Sequence, residues 1–122
     1  LDRRAVDIVQ PDASLCGGIR EVLFVAELAE LHGVQCIPHS WSGAILNAAT
    51  VHIVSLLPEP TLMPGVNPPM VEFDVTENPF ASGLLRTPLP LVDGCFEVPS
   101  TPGLGLDLNV DFIRSMEAPR SR

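Results

Sequence analysis

Three residues able to move protons stand at the ends of three short apolar runs: Asp12 after residues 6–10, His39 after 34–37, and Glu72 within 70–73. The separations, 27 and 33 residues, each equal about one strand–helix unit. In a parallel α/β sheet or barrel, the carboxyl ends of successive strands lie side by side, and active sites are built there. Three acid/base groups on that rim would converge on one pocket. Taken singly, each residue has a plainer reading. Asp12 suits a turn or helix cap in Pro11-Asp12-Ala13-Ser14, His39 a loop histidine packed under Trp41, and Glu72 a surface carboxylate. The joint pattern is more specific than any member.

The elements that must position these groups follow from periodicity. Residues 6–10 and 34–37 read as strands, and 70–73 as a third. Residues 19–32 carry Ile19, Val22, Leu23, Ala26 and Ala29 at helical spacing, with Gly33 as the stop. Residues 42–57 form a second helix nearly devoid of charge, which must be covered on most sides. Strand, helix, strand, helix, strand is the order of parallel βα units. The chain is therefore expected to be α/β, with a partial (β/α) barrel over 1–76. Residues 77–122 are expected to be an irregular segment broken by Pro79, Pro88, Pro90, Pro99 and Pro102. Within it, Asp93-Gly94 marks a tight turn, and Asn109 caps a final short helix reaching Met116. Three strands and two helices do not cover a parallel sheet on both faces. The opening Leu1-Asp2-Arg3-Arg4, without an initiator Met, reads as the middle of something longer.

Composition narrows the chemistry. All seven basic residues among the 122 are arginine, and lysine and tyrosine are absent. That excludes a Schiff-base lysine, a phosphate-binding lysine and a phenolic acid from this chain. A net charge of −8 argues against binding nucleic acid or an anionic membrane. Cys16, Cys36 and Cys95 are odd in number and widely spaced, which disfavours a disulfide framework. They read as small buried hydrophobes in a reducing, cytoplasmic setting. Cys36 and His39, three apart on an extended segment, point oppositely and make a poor metal pair. His32, near a helix end, reads as complementing the helix dipole. Gly17-Gly18 needs no anion-site explanation beyond turn geometry.

The stretch Gln10-Pro11-Asp12-Ala13-Ser14-Leu15-Cys16-Gly17-Gly18-Ile19 resembles the Asp-x4-Gly-Gly-Ile segment of the enolase superfamily, specifically its mandelate racemase/muconate lactonizing group. Ile37-Pro38-His39-Ser40-Trp41 resembles the next strand end, and Val71-Glu72-Phe73 the eighth. Asp93-Gly94 and Pro102-Gly103-Leu104-Gly105 resemble the return toward the capping domain. The resemblance implies the C-terminal part, about units six to eight, of a TIM-type barrel. It implies an enzyme that removes the proton α to a carboxylate and stabilises the enediolate with magnesium. His39 would match the family's histidine base or acid, Asp12 its dyad partner, and Glu72 the acid that hydrogen-bonds the substrate carboxylate. Trp41 would wall the substrate pocket. The magnesium ligands lie on earlier strands of the family fold, so no metal residue is assigned here and the chain alone is expected to be inactive.

The implied reaction is dehydration of a sugar acid, a small carboxylate substrate, with a homo-oligomer expected for the intact enzyme. Racemisation within the same family is the alternative, although it needs bases on both substrate faces. A different class of reading is a non-catalytic remnant, or a subunit that completes a barrel with a partner chain. A third, an independent small α/β binding domain, would require the proline-rich tail to cover the sheet.

Overall fold

The computed structural model describes residues 1–58 and 68–117. Strand β1 (Ile8–Val9) pairs in parallel with β2 (Gln35–Cys36), placing Ile8 opposite Gln35 and Val9 opposite Cys36. Backbone bonds continue this ladder past both strands. Gln35 N donates to Asp7 O, Ile37 N to Val9 O, and His39 N to Pro11 O. The ladder thus runs up to Asp12 and His39.

A parallel pair requires a crossover, and α1 (Ile19–Leu31) supplies it. Val22, Ala26 and Ala29, at the predicted helical spacing, are its buried residues. The helix ends as expected around Gly33: Gly33 N donates to Glu30 O and Val34 N to Ala29 O, the paired closing bonds of a Schellman turn. Helix α2 (Ala44–Val54) is almost wholly enclosed, with Ile53 and Ala48 fully buried, which accounts for its lack of charge. The core lies where α1 and α2 pack together, and small alanines on both let the helices approach. Gly43, just before α2, meets Phe80 closely enough that a Cβ would stand 2.9 Å from the Phe80 carbonyl oxygen.

Three expectations need correction. Residues 70–73 are not a paired strand: they have no ladder partner among the described residues. Pro68 and Pro69 immediately before them, and Pro38 beside β2, carry no N–H to build one. The segment expected to be irregular from 77 onward carries, besides the expected turn and final helix, a short helix at its start. Pro79 opens the short helix α3 (Pro79–Ser82), where its missing N–H is harmless, and Asn78 Oδ1 accepts from Phe80 N at 2.9 Å. Strands β3 (Leu91–Val92) and β4 (Cys95–Phe96) form an antiparallel hairpin. Asp93 and Gly94, at φ 50° and 80°, make its turn, a conformation that suits the Asp-Gly pair. Third, Cys16 and Cys95 are exposed rather than buried, one in the turn before α1 and the other on the uncovered hairpin. Cys36 is intermediate, and burial pushes its thiol up to about 11, so it is inert.

Helix α4 (Val110–Ser115) is capped by Asn109, whose Oδ1 accepts from Phe112 N at 3.2 Å. An isolated bridge between Leu85 and Leu108 ties this end of the chain to the segment after α3. The β1–β2 sheet is open, with Val6 and Ile8 exposed, and the described residues do not close a barrel. Among the described residues, no helix is long and apolar enough to cross a membrane.

Candidate active site

The parallel register delivers Asp12 and His39 to neighbouring strand ends. Ile8 and Gln35 are offset by 27 residues, and the same offset separates Asp12 from His39. The His39 Nδ1 lies 2.8 Å from Asp12 Oδ2. Because an ionised carboxylate only accepts, this contact assigns the proton to Nδ1 and leaves Nε2 as the free ring nitrogen of the neutral imidazole.

Asp12 is buried, and both of its carboxylate oxygens are occupied. Oδ1 accepts from Ser14 N at 2.7 Å and from Ser14 Oγ at 2.6 Å. Its backbone carbonyl also accepts from Leu15 N and Cys16 N. The turn reading of Asp12 and its pairing with His39 therefore coexist: the turn is what aims the carboxylate. Burial pushes the Asp12 carboxyl up, but the Ser14 hydroxyl, His39 and the Ser14 amide together outweigh burial and hold it below the ordinary range. His39 moves the other way. The Asp12 hydrogen bond raises its pKa against partial desolvation, with the charges of Glu72 and Asp12 adding to the rise.

Glu72 completes the group. Its Oε2 accepts from Ser40 N at 2.8 Å and lies 3.8 Å from His39 Nε2. His39 and Glu72 side chains are each 39% exposed, so the face they share is open to solvent. Two strand ends and the extended segment after Pro69 thus bring all three residues together.

Trp41 is 63% exposed and is therefore not a core residue. Its indole, with Thr76 and Asn78, lies near Asp74. Thr76 dominates there: its hydroxyl and amide donate to Asp74 Oδ1 at 2.6 and 2.9 Å and lower the Asp74 carboxyl. Asn78 and Trp41 add weak electrostatic support only, since Asp74 Oδ2 has no partner at hydrogen-bond geometry.

Sequence reasoning missed three contributors. Ser14 was legible, since Asp-x-Ser is a turn pattern in which the later residue bonds back to the carboxylate. Ser40 and Asn47 were not singled out, although a lone amide in an apolar helix is a signal. Ser40 is fully buried, and its Oγ donates to the buried Asn47 Oδ1. The other histidines stand apart from the site. His32, in its charged form, donates from Nδ1 to Leu28 O and from Nε2 to Asp2 Oδ1, each at 2.8 Å, and the Leu28 carbonyl chiefly raises its pKa. His52 meets Leu104 O at 3.3 Å.

A groove of about 400 Å³ lies beside this group rather than on it. It is lined by Ser14, Ile19, Ile45, Leu46, Phe80 and Leu84 among others, and contains none of Asp12, His39 or Glu72. The chemistry is better located by the titratable cluster, because the groove is almost wholly apolar. For magnesium the residues do not fit. Among the described residues no three His, Cys, Asp or Glu side chains are grouped to hold a metal, and the Asp12 oxygens are already committed.

The family described as "Enolase C-terminal domain-like" matches residues 1–112. The chain is 43% identical over 122 residues to D-galactarolactone cycloisomerase from Agrobacterium fabrum, covering 98% of this chain and 32% of that protein. It is 31% identical over 103 residues to arabinonate dehydratase from Saccharolobus solfataricus, covering 84% and 25% respectively. The crystal structure of the 3,6-anhydro-D-galactonate cycloisomerase from Zobellia galactanivorans superposes with a TM-score of 0.79 at 38% identity, covering 93% of this chain and 30% of that one. The chain thus spans about a third or less of the length of these relatives.

Proposed function

The chain belongs to the enolase superfamily, as a C-terminal part of its mandelate racemase/muconate lactonizing group, and we propose that it carries the acid/base residues of an enzyme that eliminates a β-oxygen from a sugar acid. It would supply about units six to eight of the barrel. The observation that carries this reading is the Asp12–His39 pair, with Nε2 turned toward Glu72.

The chemistry follows from the assigned proton positions. His39 Nε2 takes the proton from the carbon α to the substrate carboxylate. Asp12 holds the Nδ1–H tautomer and stabilises the imidazolium that forms. Glu72, pinned by the Ser40 amide, faces the carboxylate end and would donate a hydrogen bond there from its protonated form, where negative charge develops. As the α-carbon's electron pair forms the new C=C bond, the bond from the β-carbon to its oxygen breaks. That oxygen leaves with the electron pair and takes the proton back from His39. When the departing oxygen is a free hydroxyl, the product is water plus an enol, which becomes the 2-keto-3-deoxy acid. Trp41 would wall the sugar. Magnesium, which family membership implies, has no ligand set among the described residues, and no step is assigned through it.

Dehydration is the leading form. A second form is favoured by the 43% identity to a cycloisomerase over nearly the whole chain. If the β-oxygen belongs to a ring, the same proton transfers open the ring and yield an isomer with no loss of water. The test is an assay of the full-length protein carrying this chain, with magnesium, against linear sugar acids and their lactone or anhydro forms. A keto-acid product from either set supports the reading, and the set that reacts separates the two forms. Racemised acid as the only product, or no turnover of either set, overturns it in favour of the racemase or the non-catalytic remnant.

A further inference from the structure

Helix α2 is apolar except for a few residues, and one of them, Asn47, is 7% exposed. A buried amide costs free energy unless its polar atoms are paired. Asn47 Oδ1 is paired with the hydroxyl of Ser40, which is itself fully buried. The serine stands next to His39, and its own N–H holds Glu72 Oε2 at 2.8 Å. On the other side, His39 N is tied to Pro11 O at 3.1 Å, and Pro38 is fully buried. The peptide between His39 and Ser40 is therefore fixed by the strand ladder at one end and by Asn47 at the other.

We propose that Asn47 is a positioning residue for the His39–Glu72 pair, acting through Ser40. It reaches no substrate. The Ser40 hydroxyl, anchored by Asn47, sets the direction of the Ser40 amide, and that amide places the Glu72 carboxylate 3.8 Å from His39 Nε2. Loosening the anchor lets the amide turn and Glu72 drift, while the Asp12–His39 bond stays intact. Since the Glu72 charge contributes to the raised pKa of His39, such drift also leaves a trace in the His39 titration.

The activity readout rests on the elimination chemistry proposed above; the titration readout does not. The experiment compares wild-type full-length protein with Asn47→Leu, Ser40→Ala, the double variant and Asn47→Asp, which keeps an acceptor oxygen. For Asn47→Leu and Ser40→Ala, kcat is expected to fall about ten- to a hundredfold, as for small misplacements of catalytic groups. KM should change by less than about threefold, since binding is not what is lost. The double variant should lose little more than either single one, and Asn47→Asp should recover most of kcat. NMR titration should show His39 protonating at lower pH in Asn47→Leu and Ser40→Ala than in wild type. If Asn47→Leu lowers only thermal stability and leaves kcat and the His39 titration unchanged, the proposal is overturned. If wild type turns over no sugar acid, the functional reading fails, and the titration decides the positioning role alone. Should Asn47→Leu not fold, the same criteria apply to Ser40→Ala, whose backbone amide is retained.

Discussion

His39 Nδ1 lies 2.8 Å from Asp12 Oδ2 because the parallel register of β1 and β2, offset by 27 residues, continues past both strands. A strand pairing written in backbone hydrogen bonds thus becomes a side-chain pair with a defined proton. What this dyad should do can be measured in several ways.

Asp12→Asn keeps the shape but removes the anionic acceptor. The amide can present its NH2 to Nδ1 and stabilise the wrong tautomer. In the full-length protein, kcat/KM should drop by about 10²- to 10⁴-fold. The His39 pKa should fall toward its ordinary value, which NMR titration of the imidazole checks.

The pH dependence of stability has two edges. His39 is raised above 6.5, so the stability it contributes is fully present below that value and is lost as pH rises through its folded pKa. Asp12 is lowered below 3.8, so its contribution is present above that value and lost as pH falls through its folded pKa. The two shifts describe largely one interaction and are not summed. The dyad therefore stabilises most between about pH 4 and 6.5. Thermal midpoints of wild type and His39→Gln should differ most in that window, and the gap should shrink toward alkaline pH. As a base, His39 works only when neutral, so the activity should rise with pH through its raised pKa.

Ser14→Ala removes the hydroxyl that donates to Asp12 at 2.6 Å but leaves the amide at 2.7 Å. The Asp12 carboxyl should titrate at higher pH. The loss of one hydrogen bond to a charged group should cost about 1.5–3 kcal/mol at most, with the exposed hydroxyl tending to the low end. Denaturant unfolding measures this directly.

Much of this arrangement was legible beforehand, for reasons that are local. The helix over Ile19–Leu31 and its stop at Gly33 follow from apolar spacing and glycine. The Asp93-Gly94 hairpin and the Asn109 cap follow from turn and capping chemistry. Asp12, His39 and Glu72 could be chosen because an acid or base recurs at about one βα unit. Residues 70–73 were misread because an apolar run specifies an extended chain but not a neighbour to bond it. Cys16 and Cys95 were misread because burial depends on what covers a turn or hairpin, which residue type alone does not show. The Ser40–Asn47 contact joins a loop to a helix face, and periodicity does not say which face Asn47 takes. Asn78-Pro79 was a readable helix start, with a capping side chain followed by proline, but the density of prolines obscured it.

Glu72→Gln keeps an acceptor for Ser40 N and removes the charge 3.8 Å from His39. The fold should be preserved, as judged by an unfolding midpoint within about 0.5 kcal/mol of wild type. His39 should titrate at lower pH, and kcat should fall about tenfold or more, because the neutral amide no longer stabilises the imidazolium that forms at His39.

The 122-residue chain by itself should show no magnesium-dependent dehydration of a sugar acid, because it spans a third or less of the length of its relatives. Turnover by the purified chain in the presence of magnesium, abolished by a chelator, would contradict that expectation.

The central claim is that His39 Nε2 takes the α-proton. Its most direct test uses a reactive sugar acid deuterated at the α-carbon, with full-length wild type, His39→Asn and Glu72→Gln followed by NMR. The account predicts loss of the α-deuterium in wild type, slowed but detectable loss in Glu72→Gln, and none in His39→Asn. Undiminished loss in a folded His39→Asn protein would show that another group removes the proton, and the Asp12–His39 pair would lose its assigned role.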